Sequence, residues 1–310
     1  MLKRNIFIYI KKMPSNHQKC GFVAVLGQPN AGKSTLVNHL VGSKVSIVSP
    51  KVQTTRRRIL GITIHKETQL ILMDTPGIFS PSKPLESSMV KAALDASGEA
   101  DINLLLVDVK KKTFTGDFKI IDGLSKKIPL FVALNKVDLI EPEKLLEIAK
   151  SFQDQYPHIQ YIFMISAKKG SGTEKLLESL TSQMPESPWM YEEDQLTDFP
   201  LRLWAAEITR EQLVLQLRQE LPYETFVETE QWETTKNGSV KISQKIVVAK
   251  SGQKGIILGK SGSQVKAIGQ KARLELEKHL GHPVHLFIFV KVMENWMEKP
   301  AALKEAGLLP

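Results

Sequence analysis

The chain has 310 residues, 42% of them hydrophobic and 24% charged, with a formal net charge of +9 and a single cysteine. That length suits two domains that each bury a core, one cysteine excludes an internal disulfide and fits a reducing cytoplasm, and the basic balance points to an anionic partner, nucleic acid or a membrane surface. No stretch is apolar over the roughly 20 residues that a membrane-spanning helix needs, so a soluble or peripheral protein is expected.

Met1 to Lys19 precedes the first strand and carries Lys3, Arg4, Lys11 and Lys12 around the apolar run Ile6-Phe7-Ile8-Tyr9-Ile10. The run is too short for a membrane span and short even for a secretory core. Three readings stay open: a disordered tail, a weak membrane-touching patch, or an untranslated leader if Met13 is the start.

Phe22-Val23-Ala24-Val25-Leu26 is a short apolar strand, with Cys20 at its start as a small core residue, and Ser34 to Leu40 reads as helix. Between them lies Gly27-Gln28-Pro29-Asn30-Ala31-Gly32-Lys33-Ser34, the spacing of a phosphate-binding loop in the required strand-to-helix context, with Thr35 next in line. The glycines let backbone N–H groups turn inward around phosphate oxygens at the positive end of the helix. Lys33 is expected to neutralise the β and γ phosphates, and the Ser34 hydroxyl to bind Mg²⁺.

Further strands are expected near 60 to 65, 69 to 73, 102 to 107, 129 to 134 and 160 to 165, with helices in most intervals. This is a doubly wound, mostly parallel α/β sheet with its ligand at the carboxyl ends of the strands. Gln53-Thr54-Thr55-Arg56-Arg57 supplies a threonine, Thr55, that can close over the metal while a γ phosphate is present. Leu70-Ile71-Leu72-Met73 ends in Asp74-Thr75-Pro76-Gly77, where Asp74 is to hold the metal through water and the Gly77 N–H to meet the γ phosphate. Asn135-Lys136-Val137-Asp138 selects guanine, because the Asp138 carboxylate accepts from guanine's ring N–H and exocyclic amine. Ser166-Ala167-Lys168 ends the next strand, and its Ala167 N–H is expected at the guanine carbonyl. Lys33, Thr55 and Gly77 are the candidate catalytic residues.

In this order and spacing the set resembles the translation-factor-related branch of Ras-like GTPases. The position after Asp74-Thr75-Pro76-Gly77 is Ile78, where many small GTPases carry a water-orienting glutamine, so slow intrinsic hydrolysis is expected. Asn30 resembles the asparagine that helps hold a potassium ion in related GTPases, which implies K⁺ stimulation. Arg56, Arg57 and Arg58 read as solvent-facing or RNA-facing charges, and Phe114 with Lys110 to Lys112 as surface. The histidines show no metal-ligand spacing, and no metal beyond Mg²⁺ is assigned.

Pro185-Glu186-Ser187-Pro188 interrupts the alternation, and an acidic connector reaches Pro200, the expected domain boundary. The layout is an extension over 1–19, a nucleotide-binding domain over 20–186, a linker over 187–200, a second, α+β domain over 201–297 and a tail over 298–310. The second domain reads as a helix from Leu201 to Glu220, strands Thr225 to Glu233 and Lys241 to Ala249, the turn Gly259-Lys260-Ser261-Gly262, a helix from Ser263 to Leu280 and a strand from Val284 to Val292. That order resembles the prokaryotic type of K-homology domain, whose glycine turn clamps the backbone of about four nucleotides. From Lys236 to Arg273 there are nine basic residues and no Asp or Glu, a one-sidedness that favours single-stranded RNA. Candidate RNA contacts are Lys254, Ile257, Leu258, Gly259, Lys260, Ser261, Gly262 and Lys266.

Together with Glu220-Leu221-Pro222-Tyr223 and the tail from Asn295-Trp296 through Ala302-Leu303 to Gly307, the two halves are similar to the bacterial Era family of Ras-like GTPases with a C-terminal K-homology domain. The resemblance implies a monomeric, GTP/GDP-cycling GTPase that acts on the 3′ end region of 16S ribosomal RNA and on maturation of the 30S subunit. It implies a cytoplasmic protein, with peripheral contact at the inner membrane as a further possibility.

Overall fold

The computed structural model describes residues 18–51, 54–81, 84–218, 221–299 and 302–303. The apolar run at 6–10, Gln53, Glu220 and Gly307 lie outside the described residues.

All the strands expected in the first domain form: β1 Lys19–Leu26, β2 Ile59–His65, β3 Thr68–Asp74, β4 Ile102–Asp108, β5 Leu130–Asn135 and β6 Ile159–Ile165. Their order is β2-β3-β1-β4-β5-β6, parallel throughout except for β2 against β3. Every residue of β3, β4 and β5 is buried, as continuous apolar runs must be when helices cover both faces of a parallel sheet. On one face α2 (Pro84–Glu99), α3 (Thr115–Asp122) and α4 (Pro142–Gln155) pack Ala96, Ile120 and Phe152 onto Leu26, Met73 and Val132. On the other, α1 (Lys33–Val41) and α5 (Thr173–Ser182) bring Leu36, Val37, Leu176 and Leu180 against Val23, Leu72 and Leu104. The chain order reverses on either side of β1, so a crevice opens at its carboxyl end.

The second domain pairs β7 (Thr225–Thr234), β8 (Val240–Val248) and β9 (Val284–Val292), antiparallel and then parallel. Helices α6 (Leu201–Gln216), α7 (Ser251–Leu258) and α8 (Ser263–Leu280) cover one face, burying Leu213, Ile246, Ile257 and Ile268 together. Alternation along the strands turns Phe226 and Val247 to the opposite face, where they meet Trp296 and Ala302. The Trp296 ring lies 4.7 Å from that of Phe226, and its indole N–H donates to the Glu224 carbonyl at 3.0 Å.

Several expectations are corrected. Helix α7 forms between β8 and the glycine turn, where no helix was expected, and tertiary bonds help to hold it despite Gly252 and Gly255. Gln253 Oε1 accepts the Ala249 and Lys250 N–H groups at 2.9 Å, while Gln253 Nε2 donates to Glu224 at 2.7 Å. Helix α6 ends at Gln216 rather than Glu220, since Leu217 turns to extended backbone. Phe114 is not surface: it packs edge-on against Phe152 with ring centroids 5.6 Å apart. Nor do the three arginines face solvent or RNA together. Arg56 is 8% exposed and donates to the carbonyls of Pro222, Tyr223 and Thr225. Arg57 lies over the Phe199 ring at 4.6 Å, and Arg58 pairs with Glu99 at 2.5 Å. A three-residue basic run carries no periodic signal that would reveal such separate destinations.

The connector is strapped along the sheet edge. Gln69, fully buried, accepts the N–H groups of Met190 and Tyr191 at 2.9 and 3.0 Å and donates to the Tyr191 carbonyl at 2.9 Å, and the Ile62 N–H reaches the Leu196 carbonyl at 2.8 Å. Trp296→Ala removes the largest side chain under the second sheet and is expected to cost about 3–5 kcal/mol. A urea titration followed by circular dichroism reads the loss; a change below about 1 kcal/mol contradicts this account of the tail.

Candidate functional site

Strand β1 delivers the phosphate-binding loop. Gly27 has φ +145, and a Cβ there would stand 2.4 Å from the Leu106 carbonyl oxygen; at Gly32, φ +102, it would stand 2.3 Å from Asn135 Nδ2. Only glycine lets the loop turn so tightly beneath its neighbours. Lys33 opens α1, is 6% exposed and donates Nζ to the carbonyls of Gly27 and Gln28 at 3.1 and 3.2 Å. Burial pushes its ammonium down to about 8, only partly offset by Asp74. A buried cation bonded to carbonyls alone is a seat for an anion, at a helix N-terminus that adds its own positive end.

Of the remaining loop residues, Gln28 spends its side chain on Asp117 Oδ2 at 2.6 Å, which leaves its backbone for a ligand. Asp117 is fully buried, and burial pushes its carboxyl up to about 6. Asn30, at φ 63, donates Nδ2 to the Pro50 carbonyl at 2.9 Å. Pro29 packs on Gly77, where a Cβ would fall 2.8 Å from the proline ring. The Ala31 carbonyl accepts Asn135 Nδ2 at 2.7 Å, and Thr35 lines the cavity.

At the metal end Ser34 Oγ donates to Asp74 Oδ2 at 2.7 Å and lies 2.9 Å from Thr55 Oγ1, which is 3.5 Å from the same carboxylate oxygen. Asp74 is fully buried, its pKa is raised by that burial, and its Oδ1 has no hydrogen-bond partner. Hard oxygens converging around an unpartnered buried carboxylate fit a divalent cation such as Mg²⁺. Thr75 is turned inward onto the Val25 carbonyl at 2.7 Å, and Pro76 and Gly77 are buried. The Ile78 N–H donates to the Gly27 carbonyl at 3.1 Å while its side chain packs on the core, so no polar group stands at that position to hold a water. A cavity of ≈ 440 Å³ lies between this wall and residues 47–50.

At the base end Asn135, 2% exposed, accepts the N–H groups of Lys136 and Ala167 at 2.8 and 2.9 Å. The Ala167 N–H expected at the guanine carbonyl is therefore engaged within the protein, tying β5 to the 166–168 turn. Lys136, at φ 69, donates Nζ to the Asn30 carbonyl at 2.8 Å and pairs with Asp108 at 2.5 Å. Val137 packs inward and Asp138 sits on a single 3₁₀ turn. Hydrogen bonding from Ser166, then Lys169, holds the Asp138 carboxyl below the usual range. Lys169, at 3.4 Å, rather than Lys168, is the partner of Asp138, and both lysines are exposed. Asp108 and Asp117 escaped the sequence reading; the end of a buried strand is the signal for the first, and nothing local marks the second.

In the second domain the turn after α7 has Gly259 at φ +70, where a Cβ would stand 2.7 Å from the Gln264 Cβ, and Gly262 at φ +79 with open space around it. Lys260, Ser261 and Lys266 are exposed, and Lys254 is half-buried. Ile257 is not a contact residue: it is 0% exposed in the core, and Leu258 packs on the same cluster, while Ile256 one step earlier is 61% exposed. The basic stretch is also less one-sided in space than in sequence. Lys245 pairs with Glu228 and Glu230 of β7 at 2.8 and 3.3 Å, and Arg273 with Glu277 at 2.7 Å.

Residues 22–136 match the family described as 50S ribosome-binding GTPase, and residues 220–297 match the KH domain. The chain is 51% identical to GTPase Era of Agrobacterium fabrum over 293 residues, 94% of this chain and 92% of that one. It is 51% identical to GTPase Era of Rhizobium meliloti over 292 residues, 94% of this chain and 93% of that one. Among solved structures, Era in complex with MgGDPNP and nucleotides 1506–1542 of 16S ribosomal RNA superposes with a TM-score of 0.90 at 39% identity, covering 95% of this chain and all (100%) of that one. An Aquifex aeolicus Era variant bound to GDP and aluminium fluoride gives 0.89 at 37% identity, covering 94% of this chain and 100% of that one. The chain, a GTPase domain followed by a K-homology domain, belongs to the Era family of GTPases.

Proposed function

We propose that this GTPase is a slow GTP-driven switch that binds 16S ribosomal RNA near its 3′ end and assists maturation of the 30S subunit. The observation that carries the reading is the likeness, over both domains, to a relative solved with a magnesium-bound GTP analogue and that RNA. The working layout is a GTPase domain over 20–186, a linker over 187–200 and an RNA-binding domain over 201–297, acting as a monomer in the cytoplasm. Among the described residues no helix is long and apolar enough to cross a membrane. Peripheral contact with the inner membrane has only the apolar run at 6–10 in its favour, and that run lies outside the described residues.

Gly27 to Thr35 hold the phosphates, Lys33 neutralises them, and Ser34, Thr55 and Asp74 hold Mg²⁺. The metal supplies charge neutralisation for the departing phosphoryl group. Thr55 and Gly77 close on the γ phosphate, Asn135 to Asp138 receive guanine beside the turn of Ser166, Ala167 and Lys168, which Asn135 holds through the Ala167 N–H, and hydrolysis resets the loops. Asp138 is exposed on its 3₁₀ turn, where its carboxylate is open to a base. For RNA the contacts are Lys254, Gly259, Lys260, Ser261, Gly262 and Lys266, with exposed Ile256 in place of Ile257 and Leu258.

Asp138→Asn exchanges an acceptor for a donor and is expected to move preference from GTP towards xanthosine triphosphate by at least about tenfold. Competition binding reads it, and unchanged guanine preference refutes the assignment. Asn30 holding K⁺ predicts faster turnover in K⁺ than in Na⁺ at equal ionic strength, and equal rates reject it. Crosslinking in cells should enrich the 3′ end of 16S ribosomal RNA, and do so less when Lys260 and Ser261 are both changed to Asp. Enrichment of messenger or transfer RNA in its place removes the function proposed.

A further inference from the structure

The loop between α1 and β2, which carries Thr55, lies between the nucleotide cavity and the second domain, and several of its described residues bond to or pack on that domain. At its start Lys44 pairs with Glu211 of α6 at 2.6 Å and Glu275 of α8 at 2.9 Å, and the Trp204 indole donates to the Lys44 carbonyl at 2.9 Å. Ile47 is buried in one cluster with Trp204, Ile208, Ile242 and Leu276. The Val48 N–H donates to Glu211 Oε1 at 2.8 Å, and Lys51 Nζ to the Leu217 carbonyl.

Thr55 itself is bracketed by two guanidinium groups. On its N-terminal side Arg210 of α6, 2% exposed, donates Nη2 to the Thr54 carbonyl, while its Nε and Nη2 grip Glu207 at 2.8 and 2.6 Å. On its C-terminal side Arg56 reaches the other way, donating to the carbonyls of Pro222, Tyr223 and Thr225 at 3.1, 2.9 and 2.8 Å. Between these anchors the Thr55 hydroxyl faces Ser34 and Asp74. Ordering a free loop costs backbone entropy at every residue, a cost that GTPases of this kind usually meet only when γ phosphate and metal bind. Here contacts with a second domain share in meeting it.

We propose that Arg210 and Arg56 are positioning residues for hydrolysis: by fixing the backbone on both sides of Thr55 they make the RNA-binding domain an intramolecular part of the GTPase site. This rests on the role given to Thr55 above and is independent of which RNA is bound. The fork geometry is essential, because Arg210 serves Glu207 and the Thr54 carbonyl at once, and a lysine offers no planar fork for both. Displacing a group by about 1 Å is enough to cost on the order of 10²-fold in rate. Nucleotide binding depends instead on the phosphate loop and the 135–138 segment, which neither arginine touches.

The test is single-turnover GTP hydrolysis by the full chain carrying Arg210→Lys, alone and with Thr55→Ala, beside GDP affinity from a fluorescent analogue. Hydrolysis is expected to fall by about tenfold or more with GDP affinity changed less than about twofold, and Arg210→Lys should add almost nothing once Thr55 is Ala. An equal further loss in the Thr55→Ala background, a parallel loss of GDP affinity, or unchanged hydrolysis overturns the inference. Arg56→Lys, which leaves the Arg210–Glu207 pair intact, carries the same test if Arg210→Lys does not fold. The assay contains no RNA, so failure of the ribosomal reading would show in the crosslinking and leave this result standing.

Discussion

Two opposite charges, Lys33 and Asp74, are taken out of water at the carboxyl ends of β1 and β3, and the architecture around them follows from that. Each is nearly or fully buried, and each has its pKa displaced by burial towards the neutral form. For Lys33 the folded value of about 8 lies below the ordinary 10.5, so the unfolded chain binds more protons between those values, and stability falls as pH drops through them. Below about pH 8 the penalty is complete, roughly 3 kcal/mol. Asp74 acts in the opposite pH sense, its raised value costing stability once the carboxylate is ionised. An anion at Lys33 and a cation at Asp74 relieve both, so the ligands of the site complete a charge balance that the protein leaves open.

The walls that keep these charges dry come from separate parts of the chain. Gly27 and Gly32 let the loop fold under Leu106 and Asn135, and Gly77 lets the Asp74 strand end close onto Pro29. Lys136 then laces the loop to the ends of β4 and β5 through Asn30 and Asp108. The remaining wall is the α1–β2 loop, and it is shared. Its inner side faces the nucleotide cavity and its outer side is part of a core with α6 and α8. A loop packed on both sides offers a physical route for the proposed link between the GTPase site and the second domain. The connector reinforces this by lying bonded along β2 and β3 rather than swinging free.

How far the sequence could be read depended on whether a residue's environment was local. Strands of continuous apolar residues, the phosphate loop and the glycine turn of the second domain were legible because period, spacing and backbone demands are written in neighbouring residues. Helix α7 was not, since its glycines argue against it and its support comes from Gln253 reaching Glu224, a partner distant in sequence. Nor was the burial of Ile257 beside exposed Ile256, because an unread helix hides which of two adjacent apolar residues faces inward. Arg56 could not be told from Arg57 and Arg58, as three carbonyls of a turn far along the chain select it.

The sequence by itself determined the chemistry on offer: a phosphate cradle, a carboxylate for guanine, oxygen ligands for a hard cation, an apolar residue at Ile78 and a backbone-clamping turn. These are properties of short segments whose geometry glycine, strand ends and helix starts impose locally. Only the tertiary structure decided how the segments are held. The Ala167 N–H is taken by Asn135, the basic stretch is partly neutralised by β7, and Thr55 is fixed by arginines that bridge the two domains. Burial and partnership depend on atoms brought together across the chain, and the desolvation that makes such partnerships strong exists only once the domains have packed.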